Sequence, residues 1–211
     1  PGLQVGDFVL VNKYAYGLKF PGTHFLLSTF NSPQRNDVAV FIPPHTLCNT
    51  KAIEARPDLA DLSLAESQLF LKKFSNLQES RCTPGGVKFV KRVIGVPGDK
   101  VEIKGYEIWV NGNKIEQKLL SSNSEENLIE ETLNQGIHVI RTLGLSDYAQ
   151  HKWEVPNGSY LAIGDNRDNS LDSRAWGYFS EEYLVGKADY IWMHWSSYSS
   201  LPTLSRNTRI E

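Results

Sequence analysis

Short runs in which apolar and polar residues alternate, separated by Gly, Pro, Asn and Asp, recur along most of this chain. Residues 5–13 and 37–42, rich in Val and Phe, predict strands. Between them, Leu18 to Phe30 is an aromatic, loop-like stretch punctuated by Pro21-Gly22. Lys88-Phe-Val-Lys-Arg-Val-Ile-Gly-Val-Pro-Gly-Asp99 predicts a strand ending in a Gly-Val-Pro-Gly-Asp turn. Tyr106–Val110 and Lys114–Glu116 flank Asn111-Gly112-Asn113, the signature of a hairpin. Gly136–Arg141, Lys152–Val155 and Tyr160–Ile163 predict further strands, with a Pro156-Asn-Gly158 turn before the last. Two segments break the pattern. Ile53 to Phe74 has a helical tone, with Leu62, Leu64, Leu69, Leu71 and Phe74 apolar at mixed spacing. Residues 119–135 are polar and acidic and predict a mobile loop or short helix. The expected fold is mainly β: a sheet domain over 1–42, 87–101 and 159–211, an inserted β subdomain over 102–158, and a partly helical insertion over 43–86.

Composition narrows the function classes. A chain of 211 residues, 40% apolar, can bury one core with an elaborated subdomain. The net charge of −2 gives no footprint for nucleic acid. The longest apolar runs, such as Phe25-Leu-Leu27, fall far below the ~20 residues of a membrane-spanning helix, and no targeting segment is visible. His24, His45, His138, His151 and His194 show no ligand spacing and read as surface or packing residues. Cys48 and Cys82 lack the spacing of a metal site. No cofactor or metal is expected.

The candidate chemistry lies in two stretches. Gly164-Asp-Asn-Arg-Asp-Asn-Ser-Leu-Asp-Ser-Arg-Ala-Trp-Gly177 carries five charges in 14 residues, a composition that makes turns rather than core. Its carboxylates, Asp165 and Asp172, can pair with the guanidinium forks of Arg167 and Arg174. Such a loop reads as a rigid polar scaffold. In the strand before Pro97, alternation places Lys91 on one face with Phe89 and Val93. Lys91 either extends its ammonium to water, or is desolvated enough to act as a base near neutral pH.

Taken together, the two stretches resemble bacterial signal peptidase I, membrane-bound serine proteases that remove signal peptides from exported preproteins with a Ser–Lys dyad. Val5-Gly-Asp-Phe-Val-Leu-Val-Asn-Lys-Tyr-Ala-Tyr-Gly17, Pro33-Gln-Arg-Asn-Asp-Val-Ala-Val-Phe41 and Leu204-Ser-Arg206 resemble other parts of the family in the same order. The resemblance implies that Lys91 is the general base, that Ser170 hydrogen-bonds and aims its amine, and that Arg92, Asp165, Arg167, Asp172 and Arg174 form an ionic scaffold. The aspartates are expected to pair with arginines, because direct pairing with Lys91 would raise its pKa. Pro1-Gly2-Leu3 matches the end of the family's nucleophile motif. The nucleophilic serine is therefore expected before Pro1, and the 211 residues as given are expected to be inactive. The family's catalytic domain faces an oxidising compartment, which favours a Cys48–Cys82 disulfide over two free thiols and would close the base of the 43–86 insertion, a departure from the family pattern.

The resemblance further implies an extended signal peptide bound along strand edges, with small side chains in a pocket matching Leu3, Val9, Val40, Phe89 and Val90. Any of these could equally be core. Phe20, Phe25 and Phe30, with Trp192 and Trp195, could rest on a membrane interface or pack internally. The expected setting is a monomer at the bacterial cytoplasmic membrane, its catalytic domain on the extracytoplasmic side, without nucleic acid. Three alternatives stay open: a related Ser–Lys peptidase maturing conjugative pilin-like substrates, a self-cleaving repressor, and a non-catalytic β module that binds extended peptides.

Overall fold

The computed structural model describes residues 2–19, 26–29, 31–48, 63–134, 136–144, 150–197 and 200–210. Strands β1 (Asp7–Asn12), β2 (Gly17–Lys19), β3 (Leu26–Thr29) and β4 (Val38–Phe41) precede helix α1 (Leu64–Arg81). Then come β5 (Phe89–Gly95), β6 (Lys100–Lys104), β7 (Glu107–Val110), β8 (Asn113–Lys114), β9 (Glu116–Ser122), β10 (Asn127–Leu133), β11 (Gly136–Thr142), β12 (Gln150–Glu154) and β13 (Ser159–Ile163). A single turn, α2 (Ser173–Trp176), leads into β14 (Phe179–Ser180), β15 (Leu184–His194) and β16 (Thr208–Arg209). The fold is mainly β.

The principal sheet runs β1-β15-β4-β5-β13-β14, with β16 added on β15. Its pairings are antiparallel. All four residues of β4 are buried, because both faces of the sheet are covered, and its unbroken apolar sequence follows from that. On one face Ala39, Phe41 and Val93 pack with Tyr160, Trp176 and Phe179, the Phe41 and Phe179 rings stacking 3.7 Å apart. On the other, Val38, Val40 and Ala188 pack with Val9, Val11 and Val90. A further core joins Ile94, Leu161 and Ile163 to Val101, Ile103, Ile108 and Trp153 of the sheet β12-β6-β7-β8.

Residues 119–134 form neither a loop nor a short helix. They belong to a three-stranded antiparallel sheet, β11-β10-β9. In the polar run Ser121–Glu126, the two serines end β9 and Asn123–Glu126 is the turn to β10, where Asn123 Oδ1 accepts from the backbone N–H groups of Glu125 and Glu126, each at 2.8 Å. The strand signal was hidden because β9 is mostly exposed and one fully buried position of β10 is Glu131. The expected hairpin is present in tighter form: Asn113 pairs with Val110, so the turn is Asn111-Gly112 alone, with φ of 53° and 80°. Two positive φ values mark the type I′ turn that suits the twist of paired strands, and Asn-Gly adopts them at least strain.

Helix α1 takes in Leu64 to Phe74 of the stretch with a helical tone, and Ile53 to Leu62 of that stretch lie outside the described residues. Ser63 and Glu66 form a capping box that fixes its first turn, and the helix continues to Arg81. Its mixed apolar spacing has a simple cause: Phe74 is buried, while Leu64 and Leu69 face solvent. Residues 49–62 lie outside the described residues.

Cys48 and Cys82 are joined as a disulfide across 34 residues, with Cα atoms 4.9 Å apart. Beside it, Gln78 Nε2 donates to Leu47 O at 2.6 Å and Thr83 N to Thr46 O at 2.8 Å, so the insertion has a fixed neck. A loop of this size restricts the unfolded chain by about 3–4 kcal/mol in the chain-entropy estimate. Replacing both cysteines by serine is expected to lower unfolding stability by that order in denaturant titrations. The unreduced protein should have an intact mass two hydrogen atoms below the reduced one; two alkylatable thiols in the folded protein would refute the bridge.

Candidate active site

Strand β5 lies between β4 and β13, and its pleat sends Lys91 toward the face that holds Ala39 and Phe41. The lysine Nζ stands 5.7 Å from the centre of the Phe89 ring and donates to Ser170 Oγ at 2.7 Å. Burial lowers the Lys91 pKa from its ordinary value of 10.5, with Arg174 acting in the same direction and the charges of Asp172 and Asp165 opposing it. Burial outweighs the carboxylates because each is already engaged by an arginine.

Those engagements are specific. Arg92, next to Lys91 but on the opposite face, grips Asp165 with two parallel hydrogen bonds of 2.9 and 2.8 Å and reaches Asn36 through its other terminal nitrogen. Arg174 does the same to Asp172 at 2.9 and 2.8 Å. Bidentate pairs of this kind fix direction as well as distance. Burial works to raise both carboxyl groups, but the arginines outweigh it and hold them below the usual carboxylate range. Asp172 also accepts from Gly164 N and, as the N-cap of α2, from Arg174 N. Among the described residues no carboxylate forms an ion pair with Lys91.

The Ser170 hydroxyl completes the arrangement. Its oxygen accepts from Lys91 Nζ at 2.7 Å, and it stands two residues from Asp172, whose carboxyl it helps to hold below the usual range. A neutral amine held through one N–H keeps its lone pair free for another proton donor. The site can therefore aim a lysine base. Close approach is needed here: a Cβ on Gly164 would stand 2.1 Å from Ser170 Oγ and 3.3 Å from Lys91 Nζ.

The structure brings Lys91, Ser170, Arg92, Asp165, Asp172 and Arg174 together. Arg167, expected in the same scaffold, points elsewhere: its guanidinium pairs with Glu131 of β10, while its backbone carbonyl accepts from Arg174 at 2.6 Å. The five apolar residues expected to line a pocket are divided. Phe89 packs on the Lys91 side, against the core of Phe41 and Trp176. Val9, Val40 and Val90 share a cluster on the other face, and Leu3 is half-buried outside both. Trp192 is 42% exposed and meets the 40% exposed Phe8 edge to face; Trp195 donates its indole N–H to Ser200 O. Phe20, Phe25 and Phe30 lie outside the described residues.

Several contributors were not legible in the sequence. Asn36 steadies Arg92, and Asp168 accepts from the Tyr106 hydroxyl at 2.7 Å. Asp7 accepts from His194 and Arg206. Arg206 also donates to Gly2 O at 2.9 Å and so ties the two ends of the chain together. Glu131 gave no sequence signal except its charge in an acidic stretch.

The family model described as signal peptidase, peptidase S26, matches residues 1–195. The chain belongs to that family. A signal peptidase I of Pseudomonas aeruginosa is 33% identical over 226 aligned positions, covering 98% of this chain and 66% of the relative. One from Haemophilus influenzae is 33% identical over 221 positions, covering 90% of this chain and 59% of the relative. The chain thus spans somewhat less than two thirds of the length of these relatives. A solved signal peptidase I from Enterococcus faecalis aligns with 75% of this chain and 98% of its own at 20% identity, with a TM-score of 0.37.

Proposed function

We propose that this chain forms the catalytic β domain of a signal peptidase I-type serine endopeptidase that removes signal peptides from exported preproteins. Lys91 is the general base, Ser170 orients it, and the paired arginines and aspartates hold both in place. The observation that carries this reading is the Lys91–Ser170 hydrogen bond, in a setting where burial lowers the lysine pKa and both nearby carboxylates are paired with arginines. In the reaction, neutral Lys91 takes the proton of a serine hydroxyl as that oxygen attacks the scissile carbonyl. The resulting ammonium then protonates the leaving amine.

The nucleophile is assigned to the segment before Pro1. One feature supports that position. A side-chain carbon at Gly2 would stand 3.1 Å from Asp165 Oδ2, so the start of the chain runs against the Arg92–Asp165 pair, one residue from Lys91. The preprotein lies extended against the sheet, and the exposed Phe8–Trp192 pair rests on the membrane surface, where aromatic rings are favoured. No helix among the described residues is long and apolar enough to cross a membrane. The domain acts as a monomer on the extracytoplasmic side.

The test compares the 211-residue chain with the protein carrying its preceding segment, each incubated with a preprotein and analysed by mass spectrometry. Cleavage after a small-x-small motif is expected only from the longer protein. Specific cleavage by the 211 residues, lost on Lys91→Ala, would place the nucleophile within them. Peptide binding without cleavage by the longer protein would support a non-catalytic module instead.

A further inference from the structure

The inserted three-stranded sheet contains a charged cluster that the mechanism above does not use. Glu131 of β10 is fully buried, and its carboxylate receives the Arg167 guanidinium through both oxygens. His138 Nε2 lies 3.1 Å from Glu131 Oε2, and the Gln117 amide also donates to the carboxylate. Arg167 and His138 are likewise almost fully buried. Burying an ion pair is expensive and is weak evidence for stability by itself, whereas it does impose one geometry on the groups it joins.

The geometry imposed here leads to the active site. Arg167 opens the turn that ends at Ser170. Its backbone carbonyl accepts from Arg174 Nη2 at 2.6 Å, and the same nitrogen bonds Asp172 Oδ2 at 2.8 Å. Asp172 follows Ser170 by two residues, and Ser170 Oγ accepts from Lys91 Nζ. Strand β11 holds the other end of the loop, where Arg141 N donates to Asp165 O at 2.8 Å. We infer that Glu131 is a positioning residue for the catalytic lysine: by anchoring Arg167 in the inserted sheet, it holds the Arg174–Asp172–Ser170 chain that aims Lys91.

This inference rests on the proposed role of Lys91. It requires the inserted sheet to be part of the catalytic apparatus and not merely an appendage. Removing the Glu131 charge should free Arg167, loosen the turn at 167–170 and admit water to Lys91. The lysine pKa would then move back toward its ordinary value. A rise of one pH unit in that midpoint lowers the neutral fraction about tenfold at a pH below it.

The experiment uses the full-length protein and its Glu131→Gln, Leu133→Ala and Lys91→Ala variants. Leu133 is buried in the same strand, within the apolar cluster that includes Ile108 and Trp153, and carries no charge, so it reports what mere weakening of the inserted sheet does. Thermal unfolding confirms that each variant is folded. Preprotein cleavage is measured across pH, and the Lys91 amine is titrated directly by NMR on lysine-labelled protein. For Glu131→Gln the expected result is a midpoint about one pH unit higher by both readouts, a kcat about tenfold lower at neutral pH, and a KM within about twofold. Leu133→Ala should leave the midpoint in place. An unchanged midpoint in folded Glu131→Gln, or an equal shift in Leu133→Ala, overturns the inference. Cleavage surviving in Lys91→Ala overturns instead the role of Lys91 on which it depends.

Discussion

Replacing Lys91 with alanine is expected to reduce preprotein cleavage by at least about a thousandfold while the protein stays folded. General-base assistance is worth about 10²–10⁴ in rate, and the members of a catalytic unit fail together, so the loss should lie at the upper end. Arginine should not rescue it, because a guanidinium does not lose its proton in proteins. The pH dependence has a definite sign. Only neutral Lys91 accepts a proton, so activity must rise with pH through the lysine midpoint, which burial places below 10.5. Stability follows the same linkage. The lysine pKa is lower folded than unfolded, so between those two values the unfolded chain binds more protons and stability increases with pH. Below the folded midpoint the buried ammonium is a constant penalty. Lys91→Met, which keeps the apolar stem, should therefore unfold at a higher denaturant concentration than the parent at neutral pH. Near-normal turnover by Lys91→Ala, measured by initial rates on a preprotein, would sink the assignment.

Gly164→Ala should be nearly as damaging, although it adds only one methyl group and alters no group that transfers a proton. The new Cβ would stand 2.1 Å from Ser170 Oγ and 2.7 Å from Ser170 Cβ, distances that real atoms do not tolerate. Ser170 must move, and it cannot move freely, because Asp172 and the first turn of α2 hold the neighbouring residues. A displacement of about 1 Å in a reacting group can reduce rate about a hundredfold, and that is the expected loss. Ser170→Ala should do less, about tenfold, because it removes the hydrogen bond yet leaves Lys91 in its apolar seat. The two sites touch, so their effects should not add. In Gly164→Ala/Ser170→Gly the steric conflict disappears, and activity is expected to return to the level of Ser170→Gly alone. Additive losses in that double variant would show that Gly164 acts through something other than contact with Ser170.

Much of this was legible in the sequence, because it depends on local rules. Alternation along residues 88–95 determined that Lys91 shares a face with Phe89 and Val93. Asn111-Gly112 specified its hairpin through backbone conformations that few other residues adopt. The density of short polar side chains in 164–177 identified a scaffold loop, and the order of motifs from Val5 to Arg206 identified the family. What only the tertiary structure decided was which charges meet. Arg167 and Arg174 are equivalent in composition, yet one grips Asp172 beside Lys91 and the other is drawn away into the inserted sheet by Glu131. Glu131 itself sits in a run whose polarity reads as solvated, and only pairing with Arg167, His138 and Gln117 makes its burial tolerable. Val9, Val40 and Phe89 look alike as apolar strand residues, but two lie on one face of the sheet and one on the other. Local propensity determines an element and its faces. Long-range pairing of charges and the choice of which face meets which layer depend on residues far apart in the chain, and no local pattern encodes them.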